Sequence, residues 1–168
     1  MAVRHRLIRT SPQSVWAVLA DGSRYAEWVV GTSSSEPVRG HWPELGAAIR
    51  YEVRIGPLSL SNNTVVRRCV PGEALELEAD AGPLGTARIA VDVRPWGDDC
   101  LVIVDEHPLR GAGSLVHNVA VEALIQIRHR TMLARLAGIC EREAAEAERR
   151  RPLGQVVSHG PGTGGAGA

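Results

Sequence analysis

Short segments in which apolar and polar residues alternate fill the middle of this chain, and one long helical pattern follows them. In segment 47–55 the apolar residues Ile49, Tyr51 and Val53 take every second position, which is the period of a half-buried strand. Comparable segments lie at 34–42, 58–70, 73–81, 85–95 and 100–108. Short polar turns join them, so the pattern predicts an antiparallel meander rather than alternating strand–helix units.

Helical patterns stand on both sides of this meander. A first strand over 3–11 ends where Thr10 or Ser11 supplies an N-cap and Pro12 starts a short amphipathic helix. A second short helix is predicted over 23–30, where Gly22 has interrupted the first. From about residue 114 to about residue 150 the apolar residues recur with the period of one long helix.

This order of elements predicts an α+β fold. A curved antiparallel sheet wraps around the long C-terminal helix, and two short helices follow the first strand. A sheet curved in this way does not collapse fully onto a helix, so we expect a cavity between them. We assign residues 1–150 to one ligand-binding domain and residues 151–168, which are rich in glycine, to a flexible tail.

Composition excludes several classes of function. The 19 basic residues, all of them arginine, balance 19 acidic ones, so no overall field attracts nucleic acid or anionic lipid. The absence of lysine excludes a Schiff-base mechanism. The three cysteines and six histidines lack the spacings of metal sites, and no phosphate-binding loop or membrane span is evident. We expect a cytoplasmic protein with no cofactor, no metal and no nucleic-acid partner.

Several segments of the sequence resemble those of the SRPBCC superfamily, the START-like helix-grip proteins. Within it they are most similar to the actinobacterial branch labelled polyketide cyclase/dehydrase-like. The similarity covers residues 3–143 and is carried by "HWPELGAAIRYEVRIGPL", "NNTVV", "PLGTARIAVDVRPWGDDCLVIVDE", "HPLRGAG" and "IRHRTMLARLAGICE". It implies a helix-grip fold. Where this branch tends to read Arg-Asn-x-Glu in the final helix, this chain reads Arg128-His129-Arg130-Thr131, so roles tied to the Asn or Glu do not transfer.

Glu106 and His107 are neighbours in sequence but not partners in space. Alternate residues of a strand point to opposite faces, so Glu106 shares a face with Val104, and His107 lies on the other. Because both faces begin apolar, periodicity does not say which is inside. The resemblance implies that Glu106 faces the cavity, where it acts as a general acid or base, pairs with an arginine or caps the next helix. His107 is expected to be solvated, and residues 108–113 to form the turn into the long helix.

Other side chains are predicted to reach the same cavity. His129 falls between apolar positions of the long helix, as a second acid–base candidate or as a core histidine. The hydroxyl of Tyr51 is expected to donate to a ligand or to be the polar tip of a core residue. Trp28 and Trp42 are candidates for the pocket wall or for core packing.

Two further ligand-binding candidates depend on local geometry. Asn62 and Asn63 are adjacent, so one of them faces inward if the strand is regular, and we select Asn63; a bulge is the alternative. His117 lies in the first turns of the long helix, either at the pocket mouth or as ordinary surface polarity.

The sequence therefore predicts that a small hydrophobic molecule, polyketide-like, aromatic or lipid, binds between the sheet and the C-terminal helix. If the protein is an enzyme, the resemblance implies cyclisation or dehydration of a poly-β-carbonyl compound, with Glu106 or His129 moving the proton and Tyr51 or an asparagine polarising the carbonyl. The alternative is a non-catalytic carrier or sensor of lipids or small molecules. A third hypothesis is a homodimer that pairs through Leu101 and Ile103 on the outer sheet face.

Overall fold

A computed structural model describes residues 2–55, 58–80, 85–110 and 119–150 of the chain. Seven strands form one antiparallel sheet in the order β1-β7-β6-β5-β4-β3-β2. Their bounds are Ala2–Ile8 for β1, Thr32–Arg39 for β2, Ala48–Ile55 for β3, Leu58–Val70 for β4, Ala74–Asp80 for β5, Thr86–Trp96 for β6 and Asp99–Arg110 for β7. The order confirms the predicted meander, to which β1 adds beside β7 and β2 at the opposite edge.

Two short helices connect β1 to β2, as predicted. Helix α1 spans Pro12–Leu19, and the side chain of Ser11 caps it by accepting a hydrogen bond from the Ser14 backbone N–H at 3.2 Å. A single 3₁₀ turn at Gly22–Arg24 leads into α2, Tyr25–Trp28. The long C-terminal helix, α3, spans Val119–Arg150, and no helix among the described residues is long and apolar enough to cross a membrane.

Alternation of the side chains decides which face of the sheet is covered. In β5 and β6 the residues that the pattern predicts to face inward are all buried, namely Leu75, Leu77, Ala79, Ile89, Val91 and Val93; Ala74, at the start of β5, is buried as well. In β7 the buried residues are Cys100, Val102, Val104 and Glu106, while Leu101, Ile103, Asp105 and His107 are only partly buried. The structure thus shows which face of β7 is buried, a choice that periodicity alone did not decide. Glu106 lies on the buried face and points inward.

Helix α3 covers this concave face. Its buried side chains from residue 129 onward are His129, Met132, Leu133, Leu136, Ala137, Ile139 and Cys140. They recur at three- and four-residue intervals and form the apolar face of the helix. The structure confirms the helix-grip architecture, with the core between α3, α1 and the sheet.

Strand β7 is longer than the sequence suggests. The predicted turn begins at Pro108, but the strand continues to Arg110, with Pro108 opposite Ala87 and Arg110 opposite Thr86. A register shift between Thr86 and Ala87 accommodates the extra residue. Among the described residues β1 pairs with β7 only as far as Glu106, so Pro108 lies beyond this pairing and interrupts no hydrogen bond between the two strands.

Candidate functional site

Glu106 and His129 meet between the sheet and α3. The Glu106 Oε2 atom lies 2.6 Å from the His129 Nε2 atom, which is the length of a charge-assisted hydrogen bond. Glu106 is 7% exposed and His129 is fully buried. Both were predicted separately as candidates, and the fold brings them together from positions 23 residues apart in the chain.

Arg128 adds a second cation on the other carboxylate oxygen. Its Nη1 atom lies 3.7 Å from Glu106 Oε1, and its side chain remains 35% exposed. Burial by itself raises the pKa of Glu106, but the hydrogen bond from His129 and the charges of Arg128 and His129 outweigh it, so the pKa lies below its usual value of 4.5. Glu106 is therefore an ionised carboxylate at neutral pH.

An ionised Glu106 determines the proton arrangement of His129. The carboxylate only accepts hydrogen bonds, so Nε2 carries the proton that is donated to it. In the neutral ring the Nδ1 atom then holds the lone pair, and this buried atom has no hydrogen-bond partner among the described residues. A histidine held in this way can act as a general base, since the carboxylate stabilises the imidazolium that forms when Nδ1 takes up a proton.

An aromatic cluster lies on the β2–β4 side of the fold. The Tyr25 ring centroid lies 5.2 Å from that of Trp28, 5.7 Å from that of Tyr51 and 6.2 Å from that of Trp42. The Tyr25 hydroxyl and the Thr64 hydroxyl are 3.3 Å apart, and both residues are buried. Sequence reasoning did not select Tyr25 or Thr64, although Tyr25 stands three residues before Trp28 and Thr64 takes an inward position of β4.

Three predicted pocket residues belong to this cluster, and two have their polar atoms occupied. The Tyr51 hydroxyl donates to the Asp80 carbonyl oxygen at 2.7 Å, and burial raises the pKa of this hydroxyl. The Trp42 Nε1–H donates to the Leu19 carbonyl oxygen at 3.0 Å. Trp28 is 2% exposed, and its buried Nε1 has no partner among the described residues. Tyr51 and Trp42 therefore have no free side-chain donor, whereas the Trp28 Nε1–H is still without an acceptor among the described residues.

The selection of Asn63 is wrong. Asn63 is exposed and lies opposite Arg50, which is also exposed, whereas Asn62 lies opposite the buried Tyr51. Because Tyr51 faces inward, the inward amide is that of Asn62. His117 lies outside the described residues, and so do the side chains of residues 119–127.

The outer face of β7 carries a second histidine–carboxylate pair. His107 Nε2 lies 2.8 Å from Asp105 Oδ2, and both side chains are partly exposed. His107 is therefore on the outer face, which strand parity left open and the resemblance implied, but it is paired with Asp105 rather than simply solvated. Among the described residues, no group of three His, Cys, Asp or Glu side chains comes together as metal ligands.

The fold and the site together define an α+β helix-grip protein in which a buried carboxylate–imidazole pair lies between the sheet and α3. Residues 2–141 match the sequence profile of the family described as polyketide cyclase/dehydrase and lipid transport. The chain belongs to this family of the SRPBCC superfamily, and that membership supports a role in binding small hydrophobic ligands. No protein of curated function matches the sequence.

Solved structures share the fold at low sequence identity. The ZhuI aromatase/cyclase from Streptomyces sp. R1128 has a TM-score of 0.66 and 15% identity, over 87% of this chain and 96% of its own. Ara h 8.0201 has a TM-score of 0.67 and 10% identity, over 83% and 95%. Protein NE0264 from Nitrosomonas europaea has a TM-score of 0.67 and 11% identity, over 84% and 94%.

Proposed function

We propose that the chain binds a small, largely apolar molecule between the concave face of the sheet and α3, and that His129, held by Glu106, moves a proton on it. The observation that carries the proposal is the buried 2.6 Å hydrogen bond between Glu106 and His129 Nε2. A carboxylate and an imidazole are both removed from water here. Burying ionisable groups is unfavourable, and such groups are concentrated at functional sites. The ligand is expected to be a poly-β-carbonyl compound, in keeping with the family description and with the aromatase/cyclase among the similar structures.

The proposed proton route starts at a carbon between two carbonyl groups of the ligand. Nδ1 of His129 takes a proton from this carbon, and Glu106 stabilises the imidazolium. The negative charge of the enolate falls on oxygen, where the partly exposed guanidinium of Arg128 is the nearest described cation to the pair. The enolate carbon attacks a second carbonyl of the same molecule, a carbon–carbon bond forms, and the new alkoxide takes the proton back from Nδ1.

Loss of water completes the sequence. A second carbon-bound proton passes to Nδ1, the hydroxyl leaves, and the imidazolium protonates it as it departs, so that one water molecule is released. No oxidant or reductant is required. We assign no proton donation to Tyr51, because its hydroxyl proton is engaged by the Asp80 carbonyl oxygen.

A neutral carbon acid tests the base without knowledge of the natural ligand. The probe is 5-nitrobenzisoxazole, whose ring opens when a base removes its carbon-bound proton and releases a coloured phenolate. The wild-type protein is expected to accelerate this opening, and His129→Gln to lower the acceleration by about 100-fold, within the range typical of a general base. The matched control is Asp105→Asn, which disrupts the outer-face carboxylate–histidine pair on the same strand and is expected to leave the rate unchanged.

Two results would contradict the catalytic proposal. One is a wild-type rate no higher than that of His129→Gln, provided that circular dichroism shows both proteins folded. The other is an equal loss of rate in Asp105→Asn, which would mean that general stability rather than the buried base controls the reaction.

A non-catalytic carrier is the second candidate, and the occupied polar atoms of Tyr51 and Trp42 favour it. With these atoms bonded to backbone carbonyls, fewer groups remain to orient a reacting ligand. Binding of the neutral fluorophore 1-N-phenylnaphthylamine, unchanged in His129→Gln and accompanied by no opening of 5-nitrobenzisoxazole, would establish the carrier. Native mass spectrometry of the purified protein would then identify a co-purified ligand.

We also propose the assembly and location that the sequence predicts, a cytoplasmic homodimer without a nucleic-acid partner. Leu101 and Ile103 are partly buried on the outer face, opposite Leu7 and His5 of β1, and Leu7 is 43% exposed. These residues support an apolar patch at one edge of the sheet. Sedimentation velocity of the wild type and of Leu7→Glu tests it: a dimer in the first and a monomer in the second are expected, and a wild-type monomer would overturn it.

A further inference from the structure

A groove runs along the edge of the sheet between β1 and α3. It has a volume of about 360 Å³ and is lined by Val3, Arg4, His5, Arg6, Arg130 and Leu133. Neither Glu106 nor His129 lines it. This volume lies within the range of small-molecule sites.

Two elements direct arginines into this groove. Arg4 and Arg6 are two residues apart in β1 and share a face with Ile8, which is fully buried, so they point to the side of the sheet that α3 covers. Arg130 and Leu133 are one turn apart on α3 and therefore share a face of the helix. Three arginines line the groove, and no Asp or Glu among the described residues does.

Two of the three arginines that line the groove, Arg6 and Arg130, have no acidic partner among the described residues. Within the described residues, neither Arg6 nor Arg130 takes part in an ion pair. The segments outside the described residues contain no Asp or Glu side chain. The preceding acid of α3, Glu122, lies eight residues before Arg130, about 12 Å away along the helix axis.

We propose that this groove binds a small organic molecule that carries a phosphate group, at a site separate from the proposed cavity. Guanidinium groups bind phosphate through paired hydrogen bonds, and several cations favour a dianion over the single charge of a carboxylate. Val3 and Leu133 give the groove an apolar wall for a short hydrocarbon substituent. Because the net charge of the chain is zero, the attraction is local and favours a small anion over a polyanion.

Calorimetric titration of the full chain with hexyl phosphate, hexanoate and inorganic phosphate tests the proposal. Hexyl phosphate is expected to bind saturably and more tightly than either of the other two, since it alone offers both the dianion and the apolar chain. Arg6→Gln combined with Arg130→Gln is expected to weaken it at least tenfold, because each substitution removes a charge-assisted hydrogen-bond donor. Val3→Glu, which places a carboxylate at the rim, is expected to weaken it as well.

The matched control is Arg135→Gln, an exposed arginine of the same helix that does not line the groove. Equal weakening by this control would overturn the site, because the effect would then come from overall charge. Absence of saturable binding by hexyl phosphate would overturn it too, including the case in which vesicles of phosphatidic acid in phosphatidylcholine co-sediment with the chain. Hexanoate binding as tight as hexyl phosphate binding would overturn the assignment to phosphate. None of these three outcomes depends on the opening of 5-nitrobenzisoxazole, so this proposal and the proposed function fail independently.

Discussion

Glu106 and His129 are two polar side chains that are both buried and that depend on each other for stabilisation. Removing both from water is unfavourable, and their mutual hydrogen bond and charges offset that cost only while both are present. A single substitution therefore leaves one polar group buried without its main partner. The pair should be far more sensitive to the loss of one member than to the loss of both.

His129→Leu should destabilise the protein strongly. It leaves the Glu106 carboxylate buried, with Arg128 at 3.7 Å as its remaining described ion-pair partner. We expect the free energy of unfolding to fall by about 3–5 kcal/mol in urea denaturation. The double variant Glu106→Leu, His129→Leu should lose less than the sum of the two single losses, and additive losses would show that the two residues are not coupled.

The pH dependence of stability should report the same carboxylate. The pKa of Glu106 is lower in the folded chain than its usual value of 4.5, because the hydrogen bond from His129 and the charge of Arg128 outweigh the effect of burial. The stabilisation is therefore present above about pH 4.5 and is lost as the pH falls through the folded-state pKa. The difference in unfolding free energy between wild type and Glu106→Gln should be larger at about pH 6 than at about pH 3.5.

The control for this measurement is Glu36→Gln, whose carboxylate forms an exposed pair with Arg50. Exposed pairs contribute little to stability, so its difference from wild type should be small at both pH values. A pH dependence of the same size in this control would show that Glu106 is not the group responsible.

At the scale of elements, the packing of the first helices against the sheet depends on one small residue. A Cβ atom at Gly22 would lie 2.9 Å from Trp42 Cγ and 3.1 Å from Ile49 Cγ2. The indole of Trp42 is itself fixed by its hydrogen bond to the Leu19 carbonyl oxygen, so it cannot easily move aside.

Gly22→Ala is therefore expected to lower the free energy of unfolding by about 1–3 kcal/mol, the usual cost of overpacking. Gly138→Ala is the matched control, since a Cβ there meets only the end of the flexible Arg142 side chain at 3.1 Å. In the middle of α3 alanine is a better helix former than glycine by about 1 kcal/mol. Thermal denaturation should show a lower Tm for the first variant and an unchanged or higher Tm for the second; a lower Tm in both would contradict the explanation.

The buried face of a strand could be predicted from the sequence where only one face of that strand is apolar. In β5 and β6 only one face is apolar, so the inward residues follow from the pattern. In β7 both faces begin apolar, and at Asn62–Asn63 both residues are polar, so the pattern cannot choose a face. The apolar stripe of α3 predicts that His129 faces the sheet, but its contact with Glu106 also depends on how far along the sheet the helix lies, which no local pattern in either segment encodes.

For the whole molecule, the core ends well before the described part of α3 does. Among the described residues Cys140 is the last that is buried, and the helix continues to Arg150 with side chains that are mostly exposed. We therefore expect a chain that ends at Arg150 to have the same Tm as the full chain, within about 1 °C, because little apolar area is lost. A drop of several degrees would show that residues 151–168 contribute to the folded domain and that the proposed domain boundary is wrong.

The short hydrogen bond under α3 also gives the molecule an internal spectroscopic label. The Nε2 atom of the fully buried His129 lies 2.6 Å from the Glu106 carboxylate oxygen. The proton on this nitrogen is protected from exchange with solvent, and the short hydrogen bond moves its resonance downfield. It should therefore give a separate resonance far downfield in the proton NMR spectrum, absent from Glu106→Gln and from His129→Gln. Any molecule that reaches Nδ1 of the same ring will shift that resonance, so a single signal can follow ligand entry in the unlabelled protein.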